Sequence, residues 1–457
     1  MEAALQYHET ARFTRLWAAS PGGLLTGIHR VAGCATRTGF AGRAGAIASS
    51  QLTFHLDHLI KAAQKEKLLM LSVATERDLR LDLFLGLTLW LIFLDHIPSN
   101  AVSWGTIRNY GFSDATEIFI FISGYTAAFV YGRTMDEHGF IVSSARALKR
   151  AWQIYVAHIF LFAFYLAEIG YVAHRFDNPL YTEEMGILDF LKQPDVTILQ
   201  ALLLKFKPVN MDVLPLYIVL LLGFPPLLWL LLRSPSFALI GSAGIYALMW
   251  WFELNLPAYP NGVWNLNPFA WQLLFVFGAW CALGGAERLG RWLNSPVIIG
   301  LAGLYLLFAF SIAMTWYFPR LGSYVPRIVG EVIYPIDKTN LDVLRILHFL
   351  SLAVITVWFV PRDWPGLKLA VFWPAIACGQ HSLEIFCLGV FLSFAGHFVF
   401  TELSNRVLMQ IVVSVLGIAI MVAAATMISW YRSVERRGPG PGPRPPGAKP
   451  GFAGGEV

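Results

Sequence analysis

The sequence predicts an all-α, polytopic integral membrane protein with about ten transmembrane helices, and three observations carry the prediction. Of the 457 residues, 56% are hydrophobic and only 14% are charged, and the mean hydropathy is +0.57. A chain of that composition buries its apolar surface in lipid rather than in a water-facing globule. Ten apolar stretches follow one another, near 81–97, 115–132, 151–173, 213–232, 236–252, 268–284, 297–316, 341–360, 369–396 and 407–430. Most have the ~20 residues needed to cross ~30 Å of hydrocarbon. Lys and Arg between them fall unequally on two sides, as the positive-inside rule requires.

Residues 1–69 differ from everything after them: they are rich in Ala, Gly and Arg, with no sustained period and no compact apolar region of a signal peptide. Two readings compete, a disordered extension or targeting tail, and a segment outside the mature protein with Met70 as the true start. The second fits the chain better, because MLSVATERDLRLDLF is a short cytoplasmic lead into a first membrane helix. The membrane domain is then 70–432. Its first two stretches organise the rest. A charged lead (Arg77, Asp78, Arg80, Asp82) runs into an apolar segment that stops at Asp95-His96, and a second segment begins with Ser113, Asp114 and Glu117. Further on, the stretches at 236–252 and 268–284 are short and Trp-rich, which suits tilted or partly interfacial helices. Residues 186–207 read as two short helices on the membrane surface. The Pro/Gly-rich end, 433–457, reads as disordered.

With the N-terminus in the cytoplasm, the inner side receives Arg77, Arg80, Arg133, Arg146, Lys149, Arg150, Arg233, Arg288, Arg291, Arg362, Lys368 and the basic C-terminal residues. The outer side receives fewer, although it includes the two longest loops, and those loops carry many acids, among them Asp177, Glu183, Glu184, Glu331 and Asp337. Both termini therefore read as cytoplasmic. The net charge of +5 is small and excludes nucleic acid as a natural partner. It reads instead as loop charge. Four cysteines (Cys34, Cys281, Cys378, Cys387) are scattered with no CxxC or metal spacing, so no metal site is expected.

This topology assigns depths. Arg80 and His96 lie sixteen residues apart on one helix, ~24 Å at 1.5 Å per residue, so Arg80 sits at the inner edge and His96 in the outer part of the membrane. Glu117 enters at the level of His96. Asp212 and Tyr217, then Asn265, Asn267, Trp271 and Gln272, then Asp342, Arg345 and His348 open later segments at that same level. Arg345 and His348 share a helix face. Gln380, His381 and Glu384 lie near the middle of the ninth stretch. Ionisable residues inside membrane segments are expensive and mark function or a partner, and this convergence is the pattern of a site opening outward. At the inner edge, Arg146, Lys149 and Arg150 form a basic cluster suited to phosphate.

Plainer roles compete with each of these. Ser113 and Asp114 are ordinary helix caps, with Glu117 in the first turn. His348 and His381 suit buried histidines bonded to neighbouring helices. Trp104, Tyr259, Trp264 and Trp271 suit an aromatic belt, and the basic cluster suits charge anchoring. His96 is harder to explain away, because it ends an apolar helix beside Asp95 and ahead of the helix-stopping Pro98.

The segments RDLRLDLFLGLTLWLIFLDHIPSN, SDATEIFIFISGYTAAFVYGR, LPLYIVLL, NPFAWQLLFVFG, LRILHFLSLA and GQHSLEIFCLGVFLS together resemble the OpgC family over about residues 76–430. That family is similar to the acyltransferase-3 superfamily of membrane O-acyltransferases. The superfamily's Arg…His pair in the first helix is matched by Arg80 and His96, its FFxISGY-like segment by FIFISGY, and its basic motif on the third helix by RALKR (146–150). The resemblance implies a succinyl- or related acyltransferase of a bacterial inner membrane that decorates osmoregulated periplasmic glucans, with succinyl-CoA as co-substrate and no tightly bound cofactor. The inner cluster (Arg80, Arg146, Lys149, Arg150) then suits CoA, and the outer mouth (Asn267, Trp271, Gln272, His348, His381, Glu384) suits a sugar. An acyl-pantetheine arm would bridge the two levels. His96 would act as general base on a glucosyl hydroxyl, with Asp95 or Glu117 orienting it, and Arg345 would stabilise an oxyanion or a dicarboxylic acyl group. Two alternatives stay open: an O-acyltransferase acting on another surface or lipid-linked glycan, and a sugar or lipid transporter. No inverted repeat or matched pair of broken helices supports the transporter.

Overall fold

The first helix, α1 (Leu79–His96), begins where the Asp78 carboxylate accepts the Arg80 N–H at 3.0 Å and finishes two residues before Pro98. The computed structural model describes residues 78–178 and 180–437. The segment 1–69 and nearly all of the Pro/Gly-rich end therefore lie outside the described residues. Two of the expected stretches, 115–132 and 151–173, join in a single element, α2 (Ala115–Arg175), which folds back on itself at Gly139. Gly139 sits at φ 81°, ψ 176°, a conformation that costs glycine little and an L-residue much. The two arms touch next to this turn: the Ser143 hydroxyl donates to the Tyr131 carbonyl at 2.8 Å, and Arg146 Nη1 donates to Thr134 Oγ1 at 2.9 Å.

Short helices α3 (Leu180–Glu184), α4 (Leu188–Lys192) and α5 (Pro194–Leu202) follow. The last two occupy the region expected to hold two surface helices. They leave Leu191, Ile198, Leu199 and Leu202 exposed, as an apolar face against lipid would be. Polar contacts tie α5 and α3 to the bundle: the Tyr155 hydroxyl donates to the Leu202 carbonyl at 3.0 Å, and His397 Nε2 lies 2.9 Å from Glu184. Then come α6 (Val213–Arg233), α7 (Pro235–Phe252) and α8 (Pro268–Trp280), which passes through a wide turn at Cys281–Gly285 into α9 (Ala286–Leu293). After α10 (Pro296–Tyr317) the chain makes two short turns of helix, α11 (Pro319–Gly322) and α12 (Arg327–Ile333). The last four helices are α13 (Val343–Phe359), α14 (Trp373–Gln380), α15 (Ser382–Glu402) and α16 (Val407–Arg437). Residues 433–437 thus continue the last helix. The fold is all-α. Among the described residues, seven helices are long and apolar enough to cross a membrane, with α2 counted once and α8–α9 taken together.

The ninth stretch departs from expectation. Residues 369–396 read as one span, but the chain reverses at His381 (φ −122°, ψ 41°). Helix α14 runs antiparallel to α1, with Gly86 beside Ala375 and Gly379 beside Asp82. Helix α15 runs parallel to α1, with Gly389 beside Phe93 and Gly396 beside Ile97. So α14 is a short re-entrant helix, and α15 is the long helix that returns. The apolar count alone does not register a reversal made by one residue.

Two helix crossings set the frame around the future site. A Cβ on Gly124 would collide with the Phe275 carbonyl oxygen, and one on Gly278 with that of Phe121, so α2 and α8 touch backbone to backbone. Gly86 and Gly379 do the same for α1 and α14. Small residues at crossings are how membrane helices gain packing where the hydrophobic effect gives none. The main core fills the space between them with Phe93, Phe224, Phe275, Phe386 and Phe394, all nearly fully buried.

Candidate active site

The end of the bundle where α1 finishes and α2 begins collects buried charge. Asp114 caps α2. Its Oδ1 accepts the Thr116 N–H at 2.8 Å, and Glu117 Oε2 accepts the Asp114 N–H at 2.9 Å, a reciprocal capping box. The cap does more than end a helix. Glu117 is fully buried, and its Oε1 accepts from Arg345 Nε at 2.8 Å and lies 2.6 Å from Arg345 Nη2. The same guanidinium reaches Asp114 Oδ2 at 3.2 Å, and Lys338 Nζ reaches that oxygen at 2.6 Å. Two carboxylates and two cations thus neutralise one another at the helix start, and only Lys338 is substantially exposed. Burial alone would raise the Asp114 carboxyl. Lys338 and Arg345 outweigh it and hold the group well below the usual carboxylate range.

His348, one turn after Arg345, is locked. Its Nδ1 lies 2.7 Å from Ser113 Oγ and accepts the Ser113 N–H at 3.3 Å. His96 differs. Its ring Nδ1 is buried and has no hydrogen-bond partner. The charges that act on it are those of Lys338, Asp114 and Arg108, two of them members of the four-charge cluster. A buried polar atom left unpaired calls for an explanation, and a substrate group is one. Neither expected orienting carboxylate fills the role. Asp95 Oδ1 is taken by the Thr106 hydroxyl at 2.7 Å, and Glu117 is consumed by Arg345 and its own cap. The backbone holds His96 instead: Asn210 Nδ2 donates to its carbonyl at 3.3 Å.

Asn210 belongs to the segment between α5 and α6, which brings further polar groups to this end. Lys207 Nζ sits 3.9 Å above the Trp264 ring, and burial lowers its pKa to about 8. Asp212 is raised by burial, with Lys207 and the Asn265 amide pulling the other way. One Asp212 oxygen accepts from Asn265 at 3.3 Å, while its Oδ1 is buried and unpartnered. His158, on the second arm of α2 and within reach of the Lys207 charge, has an unpartnered Nδ1 as well.

Other candidates fall elsewhere. Asn267 and Trp271 are fully buried. Asn267 Nδ2 donates to Leu254 and Asn340, and Trp271 Nε1 donates to the Thr339 carbonyl at 3.2 Å. They brace the 337–340 turn that delivers Lys338 rather than present themselves to a sugar. Gln272 is clamped to Ser242 of α7. His381 bonds Ser429 at 2.7 Å, and Glu384 pairs with Arg432 at 2.7 Å. Both lie at the opposite, Gly139 end, because the reversal at His381 places them at the start of α15 and not mid-helix. Arg80 is bound by Asp78 at 2.9 Å and donates to the Val360 carbonyl at 3.3 Å, so its partners lie outside the basic stretch of α2. Arg146 gives one donor to Thr134, Lys149 points outward, and Arg150 lines a cleft. Sequence reasoning missed Lys338 and Asn210 as members of the site, and named Asp212 by its depth alone. Lys338 lies in the polar run DKTN, whose spacing carries no sign of Asp114, 224 residues away.

A family model described as OpgC protein matches residues 77–433. No curated protein and no solved structure matches the chain.

Proposed function

The chain belongs to the OpgC family, and on that premise we propose that it is a membrane O-acyltransferase moving a succinyl group from succinyl-CoA to glucosyl hydroxyls of osmoregulated periplasmic glucans. The observation that carries the proposal is the unpaired Nδ1 of His96 beside the Asp114–Glu117–Arg345–Lys338 cluster. A neutral imidazole there takes the proton of an acceptor hydroxyl. The alkoxide oxygen attacks the thioester carbonyl, the new C–O bond forms and the C–S bond breaks, and the departing thiolate receives the proton back from His96. Lys338 and the exposed Arg108, which donates to the Asp95 carbonyl at 3.2 Å, suit the free carboxylate of a succinyl group. Asn210, Asp212 and His158 supply polar atoms for sugar hydroxyls.

The reading requires the His96 end to face the periplasm and the Gly139 end the cytoplasm, with both termini inside an inner membrane. An impermeant thiol reagent applied to intact cells should label Glu184→Cys and leave Gly440→Cys unlabelled. The reverse pattern would invert the site. At the cytoplasmic end Arg146, Lys149 and Arg150 are the proposed contacts for the CoA phosphates. Arg146→Ala with Arg150→Ala should raise the donor KM without changing folding, since each charge-assisted bond contributes roughly 1.5–3 kcal/mol. An unchanged KM would return these residues to anchoring. The direct test is mass analysis of periplasmic glucans from a deletion strain. Loss of the succinyl increment is expected, and an unaltered glucan profile would favour another surface or lipid-linked glycan as acceptor.

A further inference from the structure

A cleft of about 710 Å³ opens between the second arm of α2, α15 and α16, and His96 is not among its lining residues. Its two ends differ in chemistry. The end nearest Gly139 carries Arg150, Gln153, Glu384 and Arg432; the rest is walled by apolar side chains, among them Phe160, Phe164 and Phe391. Glu384 and Arg432 pair at 2.7 Å and cancel, whereas Arg150 makes no ion pair among the described residues. The mouth therefore holds one uncompensated positive charge on a guanidinium, whose fork matches a phosphate. Along the walls, Phe160 and Phe164 are 62% and 63% exposed, so the groove faces bilayer rather than water.

The dimensions match the charge pattern. From Arg150 to Phe164 the helix rises ~21 Å, enough to accompany an acyl chain through one leaflet of ~15 Å, half the hydrocarbon thickness. The volume falls within the ~300–1,000 Å³ typical of small-molecule sites. CoA would leave these walls unmatched, because its nucleotide and pantetheine are polar throughout. Basic pockets between membrane helices that continue into apolar grooves select anionic head groups. We propose that this cleft is a binding site for one anionic phospholipid, its phosphodiester held by Arg150 next to the Glu384–Arg432 pair and one acyl chain lying along the Phe160–Phe164–Phe391 wall. The site is independent of the acyl-transfer reading, and it shares only Arg150 with the proposed donor patch.

The test uses the full chain purified in a neutral detergent, with lipid binding read by native mass spectrometry and by thermal shift. Phosphatidylglycerol should bind and raise the melting temperature, and phosphatidylethanolamine should bind roughly tenfold more weakly. Arg432→Gln, which leaves the Glu384 carboxylate unpaired at the mouth, should weaken phosphatidylglycerol by roughly fivefold to tenfold. Cys387→Phe, which narrows the apolar track and leaves every charge in place, should weaken both lipids. A variant counts only if it elutes as a single species with unchanged helical content, and Leu383→Phe on the same wall replaces Cys387→Phe where that one misfolds. Equal binding of the two lipids, or phosphatidylglycerol binding untouched by both kinds of variant, would overturn the proposal. Displacement by CoA at low concentration, with inorganic phosphate inert, would assign the cleft to the donor instead.

Discussion

Replacing His96 with alanine is expected to remove nearly all acyl transfer while leaving the donor KM intact. A positioned general base contributes about 10²–10⁴-fold, and the two other histidines singled out in the sequence are engaged elsewhere. The Nδ1 of His348 is occupied by Ser113, and His381 is bonded to Ser429 at the other end. Donor binding should survive because the proposed phosphate contacts lie across the bundle. His96→Gln is the sharper substitution. Glutamine keeps a hydrogen-bonding amide at the position but cannot accept a proton at neutral pH, so it should be as inactive as alanine. Substantial transfer by the glutamine variant would make His96 a hydrogen-bonding strut. His348→Asn should retain measurable turnover, since its role here is to bond Ser113.

Arg345→Met should produce the largest loss of stability from a single change at the site. Arg345 contacts both Glu117 and Asp114, and Glu117 is fully buried. Removing one member of a buried ion pair leaves the other desolvated and uncompensated, at a cost of roughly 3–5 kcal/mol. Lys338 remains to neutralise Asp114 but has no contact with Glu117, so Glu117 is the stranded group. Arg345→Lys keeps the charge but has no fork to span two carboxylates, and should fall between wild type and methionine. The double variant Glu117→Gln with Arg345→Met should recover much of the loss, as neutral replacement of a buried pair is often tolerated. Thermal unfolding in detergent reads all three. A double variant no more stable than Arg345→Met alone would show that the two residues do not act as a pair.

Much of the frame was legible because membrane helices announce themselves by length and apolarity. Every one of the ten apolar stretches is helical, and the Asp114–Glu117 box was readable from four consecutive residues. The site was less legible. Asp114 reads as a cap, and nothing local reveals that its second oxygen answers to Lys338 and Arg345 more than 220 residues later. Depth arithmetic placed Glu117, Arg345 and His348 together, because each opens a straight helix at the same end. It misplaced Glu384, because it assumed that a long apolar run is one helix, and the reversal at His381 breaks that assumption. Asn267 and Trp271 were placed at the right level with the wrong duty. Level along a helix can be counted from sequence, whereas the direction a side chain faces depends on neighbours that one sequence does not name.

The backbone-to-backbone crossings have a mechanical consequence. Where Gly124 meets Phe275 and Gly86 meets Ala375, no layer of side chains separates the helices, so no rotamer can change to let them slide. Those joints behave as rivets. Helices α1, α2, α8 and α14 are fastened into a chassis on which His96 and Asp114 ride. The α10–α13 pair has no such rivet: its interface is cushioned by Phe112, Tyr305 and Ile312, side chains that can yield. Arg345 and the turn bearing Lys338 sit on that sprung side. On the proposed function, clearance for a bulky acceptor at the mouth would come from give in α10 and α13, with His96 as the fixed anvil against which it is presented.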